Sequence, residues 1–89
     1  MNAVEHFAWA RTRALEYVDA NEPGNAMASF VQDLGTHEGT AGILHADLLG
    51  LFAGEVMMHG ARGARSFIEG LAGPAVDVPW HDMRTPSEV

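Results

Sequence analysis

The chain contains no cysteine. Disulfides, thiolate metal ligands and a cysteine nucleophile are therefore excluded, and the composition suits a reducing compartment. Lysine is absent too: the five basic residues are all arginines, set against 12 carboxylates, for a formal charge of −7. A nucleic-acid reader gathers basic side chains on one face, so this balance argues against that class. It favours solubility or attraction to a basic protein. No apolar run approaches the roughly 20 residues that span a bilayer. The most apolar stretch, "ILHADLLGLFAGEVMM", is interrupted by His45, Asp47 and Glu55. The start, "MNAVEHFAWARTR", has neither the basic opening nor the apolar core of a signal peptide. These absences lead us to expect a cytosolic protein that does not meet a membrane.

What is present points to helices. Eighty-nine residues with 47% apolar content make one small domain, which buries only about 60–65% of its unfolded surface. In residues 3–20, Val4, Phe7, Ala8, Ala14, Leu15 and Val18 recur at three- and four-residue spacing. "ANEPGN" then stops the helix, and Asn25 is the expected N-cap of a second one over 25–34. Its stripe is Met27, Phe30, Val31 and Leu34, with Gly35 as its stop. Thr40 is the favoured cap of a third helix over 41–58. That segment is apolar nearly all round, the signature of an element enclosed on most sides or of one whose outer side meets another chain. Its Gly50 and Gly54, four apart, are expected to allow close packing inside the chain. A fourth helix is expected over 62–71, after "HGARGAR". Residues 1–72 thus read as an all-α bundle of about four helices. Residues 73–89, with Pro74, Pro79 and Pro86, read as an extended tail.

Two residues resist this pattern. Arg11 falls within the apolar stripe of the first helix, and Trp9 falls on its polar side. An inward arginine either lets its guanidinium snorkel to water or finds a carboxylate. Asp33, Asp47 and Glu55 are the candidates, and an architectural ion pair of Arg11 with Asp47 or Glu55 is expected. Trp9 is either covered by the tail around Trp80 or offered to a partner, since tryptophan is enriched at binding hot spots.

The search for chemistry yields little. Glu55 and His59 stand four apart on one helical face and are weak metal candidates, but two ligands fall short of a zinc site. None of Ser29, Ser66 and Ser87 sits in a nucleophile elbow. "GARGAR" lacks the lysine and hydroxyl of a phosphate loop, although Arg62 and Arg65 can hold an anion or pair with Glu69. No catalytic residue, no cofactor and no enzyme activity is therefore expected.

The stretch "WARTRALEYVDANEPGNAMASFVQDLGTHEGTAG", Trp9 to Gly42, resembles a family of small proteins encoded by bacteriophages of actinobacteria. "FIEGL", Phe67 to Leu71, resembles that family's last helix, whereas "HGARGAR" departs from its hydroxyl-capped, proline-containing helix start. The resemblance implies a phage accessory protein in the cytoplasm of a bacterial host, and carries no activity or site residues. The expected function is a protein-interaction module. It binds a host or phage protein, with self-association through segment 41–58 as one form, and with Trp9, Arg62, Arg65 and Trp80 as contact candidates. The alternatives are an acidic nucleic-acid mimic that inhibits a basic host protein, and a small metal protein or enzyme.

Overall fold

Asn2 and Glu5 start the first helix by satisfying each other's exposed amides. Asn2 Oδ1 accepts from the Glu5 amide at 2.8 Å, and Glu5 Oε1 accepts from the Asn2 amide at 3.1 Å. This reciprocal capping box fixes the start of α1, Ala3–Asp19. The computed structural model describes residues 2–74, and the helices and contacts below are those of this span.

After α1 the chain turns through Asn21, whose φ of 61° is left-handed, a conformation asparagine tolerates better than most residues. α2, Pro23–Gly35, then begins two residues earlier than the expected Asn25 cap. Proline explains the shift: its ring holds φ near the helical value, and its missing N–H is not needed in the first turn. Asn25 instead donates from Nδ2 to Glu22 Oε1 at 3.0 Å, inside the first turn.

Thr40 does not cap a third helix. Its buried hydroxyl donates back to the Leu34 carbonyl at 2.6 Å and closes the end of α2. Residues 36–45 consequently form turns, and α3, Ala46–Gly70, starts five residues later than expected, with His45 at the cap position. Ile43 and Leu44 reach the core from this turn without being helical.

α3 is folded on itself. At Gly60, φ 60° and ψ −136° leave helical geometry, a backbone state open in practice to glycine. Two arms result, residues 46–59 and 61–70, so the four expected helical segments map onto three helices, the third bent double. The arms meet closely. The Phe52 and Phe67 rings stack at 4.3 Å, and Gly63 lies against the Glu55 carbonyl and the His59 side chain.

The four phenylalanines form one ladder through the core. Phe7 of α1 meets Phe30 of α2 edge-on at 6.0 Å, and Phe30 meets Phe52 of α3 edge-on at 6.2 Å. Phe67 completes the ladder on the second arm. Such offset and edge arrangements are the favourable ring geometries. Ala10, Ala14 and Ala26 are fully buried, and their small side chains let α1 and α2 approach closely.

One expectation is overturned. The arm 46–59 is not an enclosed rod. Phe52 is its fully buried residue, with Leu48, Leu49 and Val56 packed beside it on the inward side. On the opposite side Leu51 is 61% exposed, Met57 85% and Met58 77%. α1 and α2 pack with each other as well as with α3, so each covers only part of the arm, and no described segment lies over its outer side. Among the described residues the glycines there do not serve packing either: a Cβ built at Gly50 or Gly54 meets none of their atoms within 4 Å.

Candidate functional site

A polar cluster bridges α1 and α2. His6 is buried, and its Nε2 lies 2.6 Å from the Asp33 carbonyl oxygen. A carbonyl only accepts, so Nε2 carries the proton there. Thr36 Oγ1 donates to the same carbonyl at 2.7 Å. The Asp33 carboxylate accepts from Arg13 Nε at 2.7 Å and from Ser29 Oγ at 3.3 Å. The Arg13 guanidinium in turn lies over the Trp9 ring, 5.0 Å from its centroid, and the His6 ring sits 5.2 Å from Trp9 on α1.

This cluster answers the question of the outward tryptophan. Trp9 is 40% exposed and is held between a cation and an imidazole of its own helix. The hydrogen bond to Asp33, reinforced by its charge, raises the Arg13 pKa. A raised basic group contributes stability at every pH below its unfolded value and loses it only as pH rises through the folded value. The pair therefore stays intact across neutral and moderately alkaline pH. Arg13→Ala is expected to lower the melting temperature more than Asp33→Ala. Both remove the ion pair, but the first leaves the buried Asp33 carboxylate without its cation, whereas the second leaves only the neutral Ser29 hydroxyl short of one 3.3 Å hydrogen bond. Thermal denaturation of the two variants side by side checks the order.

Arg11 does not pair with Asp47 or Glu55, which corrects the expected ion pair. Its guanidinium lies 4.7 Å from the centre of the Phe7 ring and donates from Nη2 to the Leu71 carbonyl at 2.7 Å. Nε has no hydrogen-bond partner among the described residues. The physical reason is distance along the fold: the chain end after α3 returns across α1, placing Gly73 against Phe7 and Leu71 beside Arg11. Arg11 thus ties the end of α3 to α1, an architectural role reached through a carbonyl.

Arg65 is also committed internally. It pairs with Glu69 one turn on, at 3.2 Å, and with Asp19 at the end of α1, so it pins the second arm of α3 to α1. Arg62 is exposed and forms no ion pair with a described residue. It lines a shallow groove of about 210 Å³ with Glu55, His59, Gly63 and Ser66. Among the described residues no third His, Asp or Glu joins Glu55 and His59, so the two remain a pair in that groove. Trp80 and the expected cover by the tail lie outside the described residues.

Sequence reasoning named Asp33 as a carboxylate for an inward arginine but chose the wrong arginine. Arg13 lies two positions beyond Arg11, on the face toward α2. The signal was Asp33 itself, set between Phe30 and Leu34 in the buried stripe of α2. Among the described residues, no helix is long and apolar enough to cross a membrane. No family model matches the chain, and neither the curated proteins nor the solved structures yield a match.

Proposed function

We propose that this chain is a non-catalytic protein-interaction module whose working surface is the outward face of residues 46–59. The observation that carries the reading is the side-by-side exposure of Leu51, Met57 and Met58 on one helical face. Large apolar side chains gathered on a surface mark a contact site rather than random exposure. Methionine suits such a face, because its flexible thioether adapts to the shape it meets. The setting we infer is a phage accessory protein that binds a host or phage protein inside a bacterial cell. That setting rests on the resemblance of residues 9–42 and 67–71. Nucleic-acid mimicry has less support, because Asp19, Asp33 and Glu69 already face arginines of the chain and Glu5 is used in a cap.

The test is a comparison of two baits in an actinobacterial lysate, the wild-type chain and its Met58→Asp variant, both checked for helicity by circular dichroism. A protein retained by the first and lost by the second supports the module. Identical capture profiles from two folded baits contradict it.

A further inference from the structure

We propose that Met57 and Met58 are a paired oxidation site, at which conversion of the thioethers to sulfoxides switches this face from apolar to polar and leaves the fold intact. The functional half of the inference rests on reading the outward side of residues 46–59 as the working surface. The chemical half rests on the two side chains alone. The chain has no cysteine, so its five methionines carry all of its sulfur. An oxidant therefore acts on the sulfur of this protein only through methionine. Met1 and Met83 lie outside the described residues.

The structure divides the other three. Met27 is half-buried on α2 and packs against the core. Met57 is 85% exposed and Met58 77%. The reaction needs nothing from the protein except access. A thioether sulfur attacks one oxygen of hydrogen peroxide, the S–O bond forms as the O–O bond breaks, and the sulfur gives up two electrons. The departing hydroxide takes the proton of the transferred oxygen and leaves as water. Exposure therefore sets the order of reaction, with Met57 and Met58 ahead of Met27.

The same placement decides the consequence. Oxidation of a core methionine sets a polar group among apolar ones and disrupts their packing. Neither Met57 nor Met58 belongs to the core cluster, so their sulfoxides stay in water and the phenylalanine ladder is untouched. The outward effect is large. Met58 stands seven residues after Leu51, two helical turns on and so on the same side of the arm, with Met57 adjoining it. Of the large exposed apolar side chains on this arm, Leu51, Met57 and Met58, oxidation makes two polar and spares only Leu51. A sulfoxide oxygen closed into an apolar contact loses its water and gains no donor, which opposes the contact. Exposure also makes the change reversible. A methionine sulfoxide reductase can reach both positions and restore the thioether with two electrons from a dithiol, the oxygen leaving as water.

Limiting hydrogen peroxide on the full chain, followed by peptide mapping in a mass spectrometer, tests this. Met57 and Met58 are expected to oxidise at least about fivefold faster than Met27. The oxidised chain should keep its helicity and its melting temperature within a few degrees, yet elute earlier from a hydrophobic-interaction column. Met57→Leu combined with Met58→Leu keeps the face apolar and should abolish that shift under the same treatment, which separates the pair from Met1 and Met83. In the lysate comparison, oxidation should lower capture of the protein that Met58→Asp loses by about tenfold or more, and the double leucine variant should retain it after peroxide. Oxidation of Met27 at a comparable rate, loss of the fold on oxidation, or an elution shift that persists in the leucine variant overturns the site. If Met58→Asp loses a captured protein while the oxidised chain keeps it, the switch is refuted and the interaction module stands. If folded wild-type and Met58→Asp baits capture alike, the module falls, and mapping and elution alone decide the oxidation site.

Discussion

Phe52→Ala should leave the chain largely unfolded at 37 °C. Phe52 is fully buried, stacked on Phe67 and edge-on to Phe30. It is therefore the rung that joins both arms of α3 to the α1–α2 pair. Removing such a side chain costs about 3–5 kcal/mol. A domain of this size has a total stability of roughly 4–13 kcal/mol, so the loss consumes about a quarter of it or more. The expected fall in melting temperature is roughly 15–30 °C, read from far-ultraviolet circular dichroism. Leu51→Ala, one position away but outward, should leave the melt of a dilute sample within a few degrees. A small effect for Phe52→Ala would mean that the aromatic ladder does not hold the bundle together.

Gly63→Ala is expected to be nearly as damaging, although it adds a single methyl group. The new Cβ would fall on the Glu55 carbonyl of the opposing arm and press on the His59 side chain. A flexible side chain could step aside, but a helical carbonyl cannot move without disturbing the arm that carries it. Overpacking typically costs 1–3 kcal/mol, and a backbone obstacle puts this variant at about 3 kcal/mol or beyond. Gly50→Ala supplies the opposite sign. It has the same chemistry in open space and should stabilise the single chain by up to about 1 kcal/mol. Urea denaturation of both variants at low concentration checks the pair. Equal effects would mean that the arms do not meet at Gly63.

The two glycines also show where sequence reading succeeds and where it stops. α1 was legible almost to the residue, because its periodicity and its stop at "ANEPGN" are local signals. α2 was legible as a helix but slightly misaligned. Its buried face is Ala26, Ser29, Phe30, Asp33 and Leu34, whereas Met27 and Val31 are only half-buried. A hydrophobic stripe cannot anticipate this. Small and polar side chains sit at the contact because α1 approaches closely and supplies Arg13 and His6 as partners. Thr40 was misread for a related reason: a hydroxyl before a helix and a hydroxyl closing the previous one look alike until Leu34 is seen beside it. The arm 46–59 posed the harder problem. Apolar residues around a whole circumference record how much surface resists water, not how many neighbours exist to cover it. Among the described residues the neighbours are too few, and Leu51, Met57 and Met58 stay outside. Of the candidate contact residues, Arg65 and Trp9 are held by the chain's own groups, while Arg62 is exposed.

The absence of cysteine provides the most direct test of the central claim, that the outer side of residues 46–59 is bare in the single chain. Met58→Cys and Phe52→Cys each introduce one thiol, and their reaction with a maleimide or disulfide reagent can be followed in dilute native protein. The account predicts that the thiol at position 58 reacts within about tenfold of a free peptide thiol, while the thiol at position 52 reacts only through unfolding. Protection of position 58 by roughly 100-fold or more at low micromolar concentration would show that the chain covers this face itself, and would contradict the account.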